Sequence, residues 1–282
     1  MTAIVVYGLQ EALRRRIFAV VVLLTAVFLF LFWLGTHYLF ADLESLGPPP
    51  TNAIDTRTLA GATVLGLGMF ATLFLGAVLA VFLTIGVVRG DAERGLLQPL
   101  VVRPVGRTTL LLSRFLGSVA VCVPYTVIVF FGAVLIVGGN GGYWPDRYAL
   151  PAVELAAAVV VIAAIGILGS VFLSSTANGI AVFMFFGSGL VAGLLGQIGR
   201  GLNSERIERI AKVASWLAPF EALYQDALHA ITQNTVGFTR IALELGPFGG
   251  AEQGGLQLRV WTAAYLGVVG AGALVAFVRR DL

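Results

Sequence analysis

The chain has one cysteine, two histidines and only 12% charged residues among its 282 residues. A single cysteine, Cys122, excludes a disulfide framework, and with so few histidines we expect no cluster of metal ligands. The only lysine, Lys212, follows no glycine-rich turn, so the chain lacks the phosphate-binding loop in which a lysine reaches the phosphates of ATP. We therefore expect no catalytic residue, no metal site and no cofactor site of these kinds in the chain.

Apolar residues are abundant instead. They make up 58% of the chain, and the mean hydropathy is +0.93, which does not suit a protein surrounded by water. Apolar stretches of about 20 residues recur, and at about 1.5 Å per residue each can cross a hydrocarbon core of about 30 Å. We thus predict an all-α, polytopic membrane protein with six transmembrane helices. The six stretches are Ile17–Phe40, Leu59–Val88, Phe115–Gly138, Ala152–Leu173, Gly179–Ile198 and Val260–Val278.

Two segments outside these stretches carry apolar residues at helix spacing. Residues 4–16 end in three arginines, which predicts an amphipathic interfacial helix along the cytoplasmic surface. Residues 199–259 hold two stripes, which predict amphipathic helices lying at the outer interface or dipping partly into it. A small outer subdomain packed on itself would show the same pattern. The stripes are Ile207, Ile210, Ala211, Ala214 and Leu217, followed by Phe220, Leu223, Tyr224, Ala227, Leu228 and Ile231.

The distribution of arginine predicts the orientation of the chain. Arginines precede the first apolar stretch, follow the last one and crowd residues 89–114, whereas the connections after the first and third stretches carry acidic residues. Because cytoplasmic loops carry the excess of Lys and Arg, we expect both termini in the cytoplasm and residues 199–259 on the extracytoplasmic side.

Residues 89–114 have more detail than an orienting loop needs. Acidic residues come early, Leu96, Leu97 and Leu100 form an apolar side, and Pro99 and Pro104 interrupt the segment. This predicts a short cytoplasmic helix followed by a turn, suited to docking on a soluble partner. The alternative is a loop that only fixes orientation.

The same segment resembles the loop after the second span of ABC type-2 transporter permeases. It departs from the family pattern at Leu96, Gly106 and Arg114, where threonine, serine and lysine are usual. The resemblance continues in the amphipathic start, the six spans, the "WLAPFEALY" helix and the basic "RRDL" ending, and the permeases of nitrous-oxide reductase maturation transporters are similar in layout. The matching residues of the loop and the next span are Glu93, Arg94, Gly95, Leu97, Pro104, Val105, Arg107 and Gly117.

The resemblance implies a single permease domain over residues 1–282 in the cell inner (cytoplasmic) membrane. It implies a homodimer, or a pair with a related permease, joined to two ABC ATPase subunits that bind ATP and Mg, with no nucleic-acid partner. The chain itself would then bind no cofactor and would be no enzyme. The residues implied to couple to the ATPase are Glu93, Arg94, Gly95, Leu96, Leu97, Leu100, Arg103 and Arg107, with Ser174, Ser175 and Thr176 in a second loop.

Two other functions have to be compared with the sequence. A secondary transporter would place charged residues inside its spans, and the spans contain almost none; the main exception is Glu154, where the helix N-terminus favours a structural anion over substrate contact. A non-transporting membrane scaffold subunit is also compatible with the composition. Gly189 and Gly193 have the spacing that lets helices approach closely, either inside the chain or at a dimer or pore interface.

Overall fold

The computed structural model describes residues 16–45, 55–85, 106–232 and 253–279. In these ranges the chain forms eight α-helices and no strand. The helices are α1 (Arg16–Ser45), α2 (Thr56–Thr84), α3 (Arg107–Gly141), α4 (Ala149–Phe172), α5 (Ser175–Gly201), α6 (Glu205–Leu217), α7 (Pro219–Thr232) and α8 (Gly255–Arg279).

Six of the eight helices, α1 to α5 and α8, are long and apolar enough to cross a membrane. The predicted all-α fold with six spans is thus confirmed. Three predicted regions lie outside the described residues: nearly all of the interfacial helix 4–16, positions 86–105 with most of the predicted coupling loop, and positions 233–252 of the outer segment.

Helix α4 lies at the centre of the bundle and contacts α2, α3, α5, α7 and α8. Buried residues make up 67% of the most apolar window in both α2 and α4, but only 17% in α1 and 22% in α8. Alanine and valine make up half of α4, which also contains Gly166 and Gly169, so neighbouring helices can approach it closely on several sides. The apolar faces of α1 and α8 lie at the periphery, where lipid would cover them.

Local signals mark where these helices begin and end. Asp55 caps α2, since its Oδ1 accepts from the backbone N–H of Arg57 at 3.1 Å and of Thr58 at 3.2 Å. The Thr58 hydroxyl, which also donates to this carboxylate, holds the pKa of Asp55 below its ordinary value. Helix α3 ends at Gly141 and is capped by Gly142, whose φ of +67° is the left-handed conformation that favours glycine.

The two helices predicted after the fifth span are both present, but their surroundings differ. Ala211 is the only buried residue of α6, as expected of an amphipathic helix at an interface. Helix α7 instead packs among α2, α4, α5 and α8, and the Tyr224 hydroxyl reaches the Gly66 carbonyl of α2 at 3.4 Å. Burial of α7 is possible because small residues of the spans leave room for its large side chains.

The bundle has two ends. We call the end that contains α6 and α7 the α6–α7 end, and the other one the opposite end. At the α6–α7 end lie the beginnings of α2, α4 and α8 and the ends of α1, α3 and α5. At the opposite end, α2 ends next to Ile85, α3 begins at Arg107, and Leu173 and Ser174 join α4 to α5.

Candidate functional site

The opposite end collects the described residues of the predicted coupling surface. Arg107 is the first residue of α3, Ser174 is the N-cap of α5, and Ser175 and Thr176 are the first two residues of α5. We call residues 173–176 the α4–α5 turn. The remaining predicted coupling residues lie outside the described residues: Glu93, Arg94, Gly95, Leu96, Leu97, Leu100 and Arg103.

The α4–α5 turn is short and held from within. Ser174 precedes α5 in an extended conformation, and its carbonyl accepts from the Asn178 N–H at 2.8 Å. Ser174 and Ser175 are partly exposed and Thr176 is exposed, so this turn can present hydroxyl groups to a partner.

Asn178 connects this turn to the core, although sequence analysis did not single it out. Its side chain is 1% exposed, and Nδ2 donates to the Gly166 carbonyl of α4 at 2.9 Å. A Cβ added at Gly169 would lie 2.1 Å from Asn178 Oδ1. The amide therefore occupies a notch that only glycine leaves open, and it fixes α5 against α4. An asparagine directly after a short polar turn, four residues into a membrane helix, was the available signal.

The end of α2 is fixed to the same two helices. A Cβ at Gly166 would lie 2.2 Å from Thr84 Oγ1, and a Cβ at Gly179 would lie 2.5 Å from Ile85 Cδ1. Thr84 is buried and donates its hydroxyl to the Ala80 carbonyl at 2.8 Å. The last turn of α2 and the α4–α5 turn therefore share one rigid support.

We expect Gly169→Val to lower the free energy of unfolding by about 1 to 3 kcal/mol, because the added methyl groups would force Asn178 out of its notch. Thermal unfolding of the purified chain measures this loss. Gly267→Val in α8 is the matched control, because no atom lies within 4 Å of a Cβ added there. Equal stability of the two variants would contradict the proposed support.

An open groove of about 580 Å³ begins beside this turn. Its lining is apolar apart from the hydroxyl groups of Ser175 and Thr176. Farther along α5 it is bounded by Ile180 and Met184, which are 57% and 70% exposed. The groove thus leads from the turn onto the outward face of α5.

At the α6–α7 end, three helices meet in a buried ionic network. Arg259 Nη2 of α8 lies 3.0 Å from Glu154 Oε1 of α4 and 3.3 Å from Asp226 Oδ2 of α7. The two carboxylate residues are 2% and 3% exposed, whereas the arginine side chain is 42% exposed. The Gly254 N–H also donates to Asp226 Oδ1 at 3.0 Å. This network ties α7 to the central helix and to the start of the last span.

The network gives Glu154 the structural role that the sequence predicts, but the charge of Glu154 is stabilised by a different group. The sequence predicts stabilisation of its charge by the helix N-terminus, whereas the structure places Glu154 six residues beyond the N-cap Tyr148 and pairs it with Arg259, 105 residues away. Such a distance in sequence offers no local signal.

Tyr143 adds a second anchor for α7. Its hydroxyl donates to the Ile231 carbonyl at 2.8 Å. Burial raises the pKa of Tyr143 to about 12, so the hydroxyl keeps the proton that it donates.

Gly189 and Gly193 face α7 of the same chain. A Cβ at Gly189 would lie 2.3 Å from Phe220 Cζ, and one at Gly193 would lie 2.0 Å from Glu221 Oε1. Of the two interpretations of this spacing, the structure thus shows close packing within the chain at both glycines.

The described residues contain no group of three or more His, Cys, Asp or Glu side chains placed to hold a metal ion. Comparison with known proteins adds one positive finding. The family model for ABC-2 family transporter proteins matches residues 3–282, nearly the whole chain. No curated protein matches the chain.

Proposed function

The chain belongs to the ABC-2 family of transporter proteins, and from this premise we propose that it is the permease of an exporter whose ATP is hydrolysed by separate ATPase subunits. The observation that carries the proposal is the family match over residues 3–282, together with six helices able to cross a membrane. The absence of a phosphate-binding lysine motif in the sequence agrees with ATP binding by a partner.

The opposite end is then the cytoplasmic end of the bundle, in the cell inner membrane. Arg107 begins α3 and Arg279 ends α8 at this end, and arginines that flank spans favour the cytoplasmic side. Both termini follow α1 and α8 to that side, and the α6–α7 end faces outward.

Coupling would pass through the support shared by α2, α4 and α5. Residues 89–114 would dock on the ATPase as the main coupling segment, with Ser174, Ser175 and Thr176 as the second contact. Because Asn178 and the close glycines join the neighbouring helix ends without a gap, a displacement of either contact would move these spans together rather than bend one turn.

The permease would work as a pair, and the free face of α5 supports this. Gly189 and Gly193 are already covered by α7, so a second copy needs another surface. A row of residues at alternating intervals of four and three follows the outward face of α5, as in helices that pair along a seam. It comprises Ile180, Met184, Gly187, Val191, Leu194 and Ile198, and each of its large side chains is more than half exposed.

On this proposal, Val191→Cys in a Cys122→Ser background should form a cross-linked dimer with a short thiol reagent in native membranes. Ile128→Cys on α3 is the control, because this position is 68% exposed but lies outside the seam. Equal cross-linking at the two positions would indicate random collision, and a product only at position 128 would place the dimer contact elsewhere.

ATP hydrolysis tests the proposed function itself. The purified chain alone should hydrolyse no ATP, whereas the complex isolated with its ATPase should hydrolyse ATP. Mutation of the ATPase's own phosphate-binding lysine should then abolish transport into vesicles. Transport by the chain without any ATPase would refute the proposal.

A further inference from the structure

A polar cavity of about 160 Å³ lies at the α6–α7 end, between α5, α6, α7 and the start of α8. Cavities of about 150 Å³ accept a ligand of the size of benzene, whereas sites for drug-sized molecules run from about 300 to 1,000 Å³. The cavity therefore suits a small polar group rather than a large transported molecule.

One wall of the cavity presents buried hydrogen-bond acceptors. Glu221 is 1% exposed, and its Oε1 accepts from Gln225 Nε2 at 2.9 Å. Because Nε2 is turned to this carboxylate, the Gln225 amide oxygen points elsewhere. That oxygen is buried and has no hydrogen-bond partner within the part of the chain that the structure describes. Both residues line the cavity, and a carboxylate together with an amide oxygen matches a primary ammonium, which has three N–H donors and no acceptor.

The cavity also contains cations. Arg200 and Lys212 are among its lining residues, together with Glu208 and Glu221, so the formal charges of the lining cancel. Arginine and lysine favour phosphate oxygens. A ligand with an ammonium at one end and a phosphate at the other would match both kinds of group, whereas a simple anion or cation would match only one.

Two tryptophans beside the cavity favour a position at the depth of lipid headgroups. Trp216 lines it, and its ring centroid is 5.8 Å from that of Trp261, whose Nε1 donates to the Trp216 carbonyl at 2.9 Å. Tryptophans concentrate where a bilayer meets water. Gly254 and Leu258 at the start of a membrane-spanning helix line the same cavity.

We propose that this cavity binds the headgroup of a phospholipid that carries both a primary ammonium and a phosphate. The ammonium would donate to Glu221 and to the Gln225 amide oxygen, and the phosphate would accept from Arg200 and Lys212. The acyl chains would remain in the bilayer. This site and the described residues of the coupling surface lie at opposite ends of the bundle.

The test is a binding titration of the purified full chain with short-chain phosphatidylethanolamine. We expect it to bind at least about tenfold more tightly than short-chain phosphatidylglycerol, which lacks the ammonium, and than phosphatidylcholine, whose ammonium has no N–H donor. Equal affinity for the three lipids would overturn the proposal. Tighter binding of free O-phosphoethanolamine than of the short-chain lipid would assign the cavity to a soluble compound and overturn the lipid as occupant.

Matched variants locate the binding. Lys212→Ala should weaken binding of phosphatidylethanolamine about fivefold or more, since a charge-assisted hydrogen bond is lost, whereas Arg209→Ala should not, because this arginine is exposed on the same helix outside the cavity. Glu221→Gln should remove the preference for phosphatidylethanolamine over phosphatidylglycerol. If Glu221→Gln does not fold, the Lys212→Ala variant still tests the site, because Lys212 is exposed. Unchanged binding by Lys212→Ala would contradict the site.

Discussion

Replacing Arg259 with leucine should lower the free energy of unfolding by about 3 kcal/mol, because two carboxylates would remain buried without their shared cation. Glu154 and Asp226 are 2% and 3% exposed and both lie within 3.3 Å of Arg259 Nη2. The loss should fall toward the lower part of the range for broken buried pairs, since the arginine itself is 42% exposed. Thermal unfolding of the purified chain in detergent is the measurement.

Two further variants make the result specific. Arg209→Leu removes an exposed arginine from α6 and should change stability by less than about 0.5 kcal/mol. The double variant Glu154→Gln with Arg259→Leu should recover part of the loss, since only Asp226 then keeps an unneutralised charge. If Arg259→Leu unfolds like Arg209→Leu, the ionic network does not hold α7 in the bundle.

The second large effect is expected in the segment that precedes α3. Leu97→Asp should reduce the ATPase that copurifies with the chain at least about tenfold, because docking would bury an unpaired carboxylate in the partner's groove. The conservative change Leu97→Met should retain the partner. Glu93→Ala should leave the complex intact but separate ATP hydrolysis from transport, since exposed ion pairs contribute only about 0 to 1 kcal/mol to docking.

A segment that only fixes orientation predicts different results for the same variants. It would tolerate both Leu97→Asp and Glu93→Ala as long as Arg103, Arg107 and Arg114 remain, because acidic residues contribute little to orientation. If both variants insert correctly, retain the ATPase and couple ATP hydrolysis to transport, the segment only fixes the orientation of the chain.

The spans could be predicted from sequence because a single physical requirement, enough consecutive apolar residues to cross the bilayer, determines them. The two helices after the fifth span were predictable for a similar reason, since their apolar residues recur at helix spacing. Their different burial was not predictable, because an apolar stripe is equally suited to an interface and to a groove between helices. Tyr224, expected at interface depth, instead reaches Gly66 in the bundle.

The features that could not be predicted from the sequence depend on contacts between residues that are distant in the chain. The spacing of Gly189 and Gly193 predicts a close approach, but only the structure identifies Phe220 and Glu221 as the neighbours. Asn178 was passed over because its partners lie on another helix. For the coupling surface, Arg107 and the α4–α5 turn are described, whereas Glu93 to Arg103 stay predictions from sequence.

The measurement that tests the account most directly is the intact mass of the complex isolated from native membranes by a tag on this chain. We expect two copies of the permease chain, or one copy with a related permease, together with two ATP-binding subunits. We also expect that Leu97→Asp removes those subunits while the permease pair remains. A transport-active assembly whose mass leaves no room for an ATP-binding subunit would contradict the central claim.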